Sequence, residues 1–222
     1  EMNSIARLVR TFAPTHYDLS VTIDRTGRTF EGTVAISGLS LHDAQEIRLH
    51  AKNLTIRSAL VDGKKAQYTL NDSEELCISH ADITKGRHIV VIAYSGAITD
   101  DMNGVYPCYF EVEGQKKELI ATQFESHYAR QAFPCVDEPE AKATFAVTLR
   151  TETGVTVLGN MPVASQSIEN GQLVTRFQTT PRMSSYLLAW VIGELHKKTA
   201  VTKRGVEVSL WATHAHSPAS LD

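Results

Sequence analysis

Residues that could do chemistry are concentrated in one stretch of the chain, residues 122–145, which reads TQFESHYARQAFPCVDEPEAKATF. Gln123 and Glu125 are separated by a single residue at the end of a strand-like run. On an extended backbone this spacing places both side chains on one face, where a carboxylate and an amide can contact the same ligand. A glutamate at a strand end can equally be a solvated surface residue, and the residue types alone leave both interpretations open.

A second group of carboxylates, Asp137, Glu138 and Glu140, follows in the same stretch. Such a cluster could form a metal site or a general acid–base pair. We favour a structural role, because Asp-Glu-Pro is typical of a turn or the start of a short helix, where carboxylates accept hydrogen bonds from backbone N–H groups. Arg130 is close enough in sequence to pair with them.

Two histidines near the end of the sequence, His214 and His216, have a spacing that would point both imidazoles to one strand face. Zinc usually takes four ligands and the sequence offers no third nearby, so we predict no metal site here. Cys135 has no helix terminus or basic pair that would favour a thiolate, and we expect a buried structural thiol. We predict no catalytic residue in this chain.

The stretch 122–145 resembles the N-terminal domain of the zinc aminopeptidase N family. That family reads Thr-Gln-Phe-Glu, a short variable segment, Ala-Arg, Ala-Phe-Pro-Cys-x-Asp-Glu-Pro and Lys-Ala-x-Phe. The residues in register here are Gln123, Phe124, Glu125, Ala129, Arg130, Ala132, Phe133, Pro134, Cys135, Asp137, Glu138, Pro139, Lys142, Ala143 and Phe145. Residues 14–19, 160–163 and 183–189 resemble three further segments of the same family, so the resemblance covers nearly the whole chain.

The resemblance implies a division of labour between this chain and a downstream catalytic domain. In the family, the glutamate that matches Glu125 binds the free α-amino group of a peptide substrate, and the glutamine that matches Gln123 lies beside it. The zinc and its His-Glu-x-x-His helix belong to the downstream domain, so this chain alone is expected to be inactive. The alternative is a non-catalytic scaffold or ligand-binding β-sandwich. The resemblance also disfavours a branch of the family that hydrolyses lipid epoxides, because that branch has Gln at the position that matches Glu125.

The composition of the chain bears on which partners it could bind and in which cellular compartment it is expected. The 222 residues contain 22 basic and 25 acidic side chains, and this dispersed net charge of −3 argues against nucleic-acid or membrane partners. Three widely spaced cysteines without a pairing framework are typical of reduced thiols. With no N-terminal signal pattern, we expect a cytoplasmic protein whose partners are peptides and its own catalytic domain.

The rest of the sequence predicts an all-β fold. Short runs with a period of two recur along the chain, separated by turn pairs such as Asp62-Gly63 and Asn170-Gly171. The predicted strands are residues 17–23, 29–37, 47–50, 54–61, 76–79, 88–94, 118–123, 144–151, 156–158, 173–179, 186–192 and 206–211. Short helices are predicted at 40–45, 82–85 and 126–131. We therefore predict a single domain over 1–222 with an antiparallel, multi-stranded sandwich or saddle of layered sheets.

Overall fold

The computed structural model describes residues 7–217 and Ala219, and this part of the chain is all-β. Its strands are β1 (Phe12–Asp24), β2 (Thr29–Ser40), β3 (Glu46–His50), β4 (Leu54–Val61), β5 (Lys64–Lys65), β6 (Gln67–Leu70), β7 (Glu75–Ser79), β8 (Gly86–Ala97), β9 (Gly104–Val112), β10 (Gln115–Gln123), β11 (Thr144–Thr151), β12 (Thr156–Gly159), β13 (Val163–Glu169), β14 (Gln172–Phe177), β15 (Trp190–Gly193), β16 (Leu195–Val201) and β17 (Glu207–Thr213). Short 3-10 helices lie at Leu8–Arg10, Ala129–Gln131 and Ser185–Leu187. Among the described residues, no helix is long and apolar enough to cross a membrane.

The strands form four sheets. The largest has eight strands in the order β13-β14-β11-β1-β2-β8-β4-β5, and a four-stranded sheet has the order β12-β15-β10-β9. A three-stranded sheet, β3-β7-β6, and the hairpin β16-β17 complete the set. The pairing of β1 with β11 is parallel, with Tyr17 opposite Phe145, and the other strand pairs are antiparallel. The predicted all-β architecture is confirmed, with one parallel pair inside it.

Turn chemistry explains several strand ends. Asp62-Gly63 joins β4 to β5 and Asn170-Gly171 joins β13 to β14, and all four residues have positive φ, between 50° and 80°. Two successive residues in this region form the tight hairpin turn whose twist matches the flanking strands. Both turns occur where the sequence predicts them.

Other local predictions were wrong. Residues 40–45 and 82–85 are not helical, and the segment 126–131 contains only the 3-10 helix Ala129–Gln131. The strand predicted at 186–192 begins late, at Trp190, because the 3-10 helix Ser185–Leu187 precedes it. Strands β5, β6, β9, β13 and β16 were not among the predicted strands, and in β9 Pro107 interrupts the alternating pattern. A proline is tolerated there because β9 lies at the edge of its sheet.

A chain of aromatic side chains connects the four-stranded sheet to the large sheet. Phe124, 1% exposed, contacts Trp190 edge-on at a centroid distance of 5.4 Å and Phe133 at 6.2 Å. Phe133 in turn contacts Tyr17 at 6.1 Å, and Tyr17 stacks on Phe145 at 4.8 Å. The segment that follows β10 is therefore fixed to the core at Phe124.

His88 forms a buried charged contact at the start of β8. Its Nδ1 lies 2.7 Å from Asp62 Oδ2 and its Nε2 lies 2.7 Å from the Thr84 carbonyl oxygen. Both neighbours are hydrogen-bond acceptors, so these contacts favour the protonated ring, in which both nitrogens donate. Burial alone lowers the pKa of His88, but the hydrogen bonds to Asp62 and Thr84 outweigh it, and the pKa lies above its usual value of 6.5.

We expect His88 to make the stability of the chain depend on pH. Because its pKa is raised by folding, its contribution is fully present below pH 6.5 and is lost as the pH rises through the folded-state value. Urea denaturation at a series of pH values should show the unfolding free energy falling through this window. His88→Gln should reduce the slope, whereas His42→Gln, at an exposed histidine, should keep it. An unchanged slope in His88→Gln would contradict the assignment.

Removing the Phe124 ring should destabilise the fold strongly. Phe124→Ala deletes a fully buried aromatic side chain and leaves a cavity between Phe133 and Trp190, which costs about 3–5 kcal/mol. Leu70→Ala, at a position that is 44% exposed, should cost less than about 1 kcal/mol. Chemical denaturation measures both values. A loss below about 1 kcal/mol for Phe124→Ala would mean that the aromatic chain does not hold this segment.

Candidate functional site

Gln123 and Glu125 lie at the end of β10, one on each side of the buried Phe124. Gln123 is the last residue of the strand and pairs with Gly104 of β9, and Glu125 begins the turn of residues 125–128. Both residues are exposed, whereas Phe124 is 1% exposed. The alternation expected of an extended segment therefore holds at these three positions.

Backbone hydrogen bonds define the turn that carries Glu125. Tyr128 N donates to Phe124 O at 2.9 Å, and Gln131 N donates to Tyr128 O at 3.0 Å. The peptide bond between Glu125 and Ser126 is cis. The His127 ring stacks on Tyr128 at a centroid distance of 4.8 Å, and its Nδ1 lies 2.8 Å from Ser126 Oγ. Neither contact was predicted from the sequence.

The side chains of Gln123 and Glu125 are available to a ligand. Within residues 7–217 and 219, neither forms a hydrogen bond or an ion pair. Neither lines the cavity of about 910 Å³ at the end of the large sheet, nor the cavity of about 590 Å³ beside Ile89. The pair thus forms an open polar surface on a fixed backbone.

The acidic cluster has the structural role predicted from the sequence. Asp137 Oδ2 lies 3.1 Å from Arg130 Nε, and Asp137 Oδ1 accepts a hydrogen bond from Ser185 Oγ at 2.8 Å. The Glu138 carboxylate accepts the backbone N–H groups of Leu8 and Val9 at 2.8 and 3.1 Å. These amides belong to a distant segment, and no helix starts at residues 137–139.

The third member of the cluster and the neighbouring cysteine also fit structural roles. Glu140 is exposed and lies 3.8 Å from Arg7. Cys135 is fully buried, and this burial raises the pKa of its thiol well above the usual value. The thiol therefore stays protonated, as expected of a structural cysteine.

His50 is a half-buried partner of this cluster that the sequence did not indicate. Its Nδ1 accepts a hydrogen bond from the backbone N–H of Asp137 at 3.1 Å. Burial, and then the nearby positive charge of Arg130, lower the pKa of His50 to about 4. The ring is neutral at physiological pH, which matches its role as an acceptor.

The two C-terminal histidines do not share a strand face. Strand β17 ends at Thr213, and His216 N donates to Thr213 O at 3.1 Å in the turn that follows. The ring near His214 is His196 of β16, at a centroid distance of 5.2 Å. In the described part of the chain, no group of three or more His, Cys, Asp or Glu side chains could hold a metal ion.

Comparison of the sequence with known proteins identifies the family of this chain. The profile of the Peptidase M1 N-terminal domain matches residues 13–187. Aminopeptidase N of Lactococcus lactis subsp. lactis is 47% identical over 223 residues, which is 99% of this chain and 26% of that protein. Aminopeptidase N of Lactobacillus delbrueckii subsp. lactis is 46% identical over 98% of this chain and 25% of that protein.

A more distant relative gives the same result. Aminopeptidase M1 of Arabidopsis thaliana is 32% identical over 216 residues, or 92% of this chain and 25% of that protein. The chain thus spans about a quarter of the length of these relatives. It belongs to the peptidase M1 family and corresponds to the N-terminal domain of the proteins in that family.

Proposed function

We propose that this chain is the substrate-anchoring domain of a zinc aminopeptidase and that Glu125 binds the free α-amino group of the peptide. The observation that carries the proposal is the position of Glu125. It is an exposed carboxylate without a partner among the described residues, next to a residue buried in the core, in a chain 47% identical to an aminopeptidase N. Gln123 lies on the same face and accepts a hydrogen bond from the amine.

The chemistry of the amine explains why such a residue is needed. An α-amino group has a pKa of about 8 and is mostly cationic at neutral pH, so an anionic partner stabilises it. A carboxylate held at one distance from the scissile bond restricts cleavage to the first peptide bond. A scaffold function would not require an exposed amide at the end of β10 and an exposed carboxylate at the start of the turn that follows it.

The catalytic groups are proposed to lie outside this chain. Zinc usually takes four protein or water ligands, and Gln123 with Glu125 could offer at most two. We therefore assign zinc, and the activation of water on it, to the roughly three quarters of the relatives' length that this chain does not cover. The chain alone is proposed to be inactive, and peptides are its proposed substrates.

The proposed compartment is the cytoplasm, and nucleic acids and membranes are not proposed as partners. All three cysteines are free thiols, which fits a reducing compartment. The charges are dispersed with a net value of −3, so the chain lacks the basic surface that phosphate-rich partners require.

We also propose that the hairpin β16–β17 is the surface on which the downstream catalytic domain packs against this domain. One face carries the apolar residues Ala200, Val208, Leu210 and Ala212 together with His196 and Lys198, and Val208 and Leu210 are 45% and 49% exposed. The opposite face satisfies its own polar groups, since Lys197 lies 5.4 Å from the Trp211 ring and 3.7 Å from Glu207. A two-stranded hairpin is marginally stable alone, so the exposed apolar side chains on this face need a cover.

Replacing Glu125 in the full-length enzyme should impair cleavage of free-amine substrates. An ion pair at about 4 Å in an effective dielectric of about 20 contributes roughly 4 kcal/mol, and desolvation reduces this to a net loss on the order of 2–3 kcal/mol. For Glu125→Ala, kcat/KM should therefore fall about 30- to 200-fold while the metal content stays unchanged.

Two comparisons sharpen this measurement. Glu111→Ala, at an exposed acid on the neighbouring strand β9, should keep the wild-type kcat/KM. Glu125→Gln preserves the shape and should lose nearly as much activity as Glu125→Ala. A near-normal kcat/KM in Glu125→Ala would contradict the assignment of Glu125 as the group that binds the amine.

A charge placed at Leu210 of the hairpin, directly opposite Lys198, should destabilise only the full-length protein. Leu210→Lys would bury an unpaired ammonium under the downstream domain, at a cost of about 2 kcal/mol or more, whereas in the isolated chain the position stays in water. Val201→Lys, on the opposite face and 67% exposed, is the matched control. Thermal unfolding should show a drop only for Leu210→Lys in the full-length protein. Equal melting temperatures of all full-length variants would refute the docking surface.

A further inference from the structure

We infer that the buried ion pair between Arg130 and Asp137 is a positioning device for Glu125. The inference rests on the proposed function, because it concerns how the amine anchor is held. Arg130 follows Glu125 by five residues and is the middle residue of the 3-10 helix that continues the same turn. Neither Arg130 nor Asp137 is proposed to touch the substrate.

Arg130 is fixed through its backbone as well as its side chain. Its backbone N and its Nε both donate to Asp137 Oδ2, at 3.3 and 3.1 Å. Its carbonyl oxygen accepts the backbone N–H of Lys52 at 3.0 Å. A residue held at these three points cannot shift without breaking buried hydrogen bonds, so it sets the end point of the turn.

Asp137 connects this end point to separate parts of the fold. Its side chain is 1% exposed, and its second oxygen accepts from Ser185 Oγ at 2.8 Å. Its backbone N–H donates to His50, at the end of β3. Through its carboxylate and its backbone N–H, Asp137 thus joins the turn to the 3-10 helix that precedes β15 and to the three-stranded sheet.

The charges around Arg130 balance. Glu74 Oε2 lies 3.1 Å from Arg130 Nη1, and Glu74 Oε1 lies 2.6 Å from Lys52 Nζ. Two cations therefore face two carboxylates in and around the buried site. A buried ion pair adds little net stability after desolvation, and its best-attested benefit is to select one arrangement of the chain. That benefit is what a fixed binding group requires.

The turn of Glu125 is consequently held at both ends by buried groups. Phe124 fixes the start between Phe133 and Trp190, and Arg130 fixes the end against Asp137. Between them only exposed or half-exposed residues and Ala129 intervene. If the end at Arg130 loosens, Glu125 should shift relative to the amine, and displacements of about 1 Å weaken such sites markedly.

The test compares two hydroxamate inhibitors of the full-length enzyme that differ only in the α-amino group, leucine hydroxamate and 4-methylpentanehydroxamic acid. The inhibition constant of the ligand without an amine, divided by that of leucine hydroxamate, measures how much the α-amino group contributes to binding. In Arg130→Lys, which retains the charge but loses the planar fork, the ratio should fall about three- to tenfold. The constant for the ligand without an amine should stay unchanged, whereas a general loss of structure would raise both constants.

Control variants separate this inference from the proposed function. In Glu125→Gln the ratio should approach one. If it does not, the proposed function fails. If Glu125→Gln lowers the ratio but a folded Arg130→Lys keeps the wild-type value, the positioning inference is overturned. Arg176→Lys, whose arginine pairs with Glu169 at 2.9 Å on β14, should change nothing.

A milder variant keeps the test decisive if Arg130→Lys does not fold. Ser185→Ala removes one hydrogen bond from Asp137 and leaves the ion pair intact. Its ratio should fall in the same direction, with the inhibition constant of the ligand without an amine unchanged. A wild-type ratio in Ser185→Ala would then overturn the inference.

Discussion

The burial of Phe124 between two exposed polar residues is the constraint on which the arrangement of this domain depends. Its ring fills the space between Trp190 and Phe133, so the backbone on either side has one position relative to the core. Because side chains alternate on an extended segment, fixing the inward residue also fixes Gln123 and Glu125 outward. A functional surface is thus defined by a packing contact that lies beneath it.

One short stretch of sequence contains both buried and exposed carboxylates. Asp137 and Glu138 are buried and accept hydrogen bonds from an arginine, a serine and backbone amides. Glu125 is exposed and has no such partner among the described residues. The cost of burying a charge explains the division, since only a carboxylate with donors close by can be taken out of water. The carboxylate left outside is the one free to serve a ligand.

The sequence predicted most of the strands, because a period of two in adjacent residues marks them, and both Gln123 and Glu125 are exposed on either side of the buried Phe124. It did not predict β9, where Pro107 hides the pattern and only its place at a sheet edge makes the strand possible. Nor did it reveal the partners of Asp137. His50 and Ser185 are 87 and 48 residues away, and only the fold brings them together. Local signals thus suffice for elements and fail for contacts that tertiary structure creates.

The parallel pairing of β1 with β11 has a consequence for synthesis on the ribosome. His16 is paired with Thr144, and 128 residues separate them. At elongation rates of about 5–20 residues per second, β1 waits roughly 6 to 25 s for this neighbour. Strands β2 and β8 can pair on one side of β1 in the meantime, while its other edge stays open. Nascent chains of intermediate length therefore expose a strand edge that chaperones or neighbouring chains can bind.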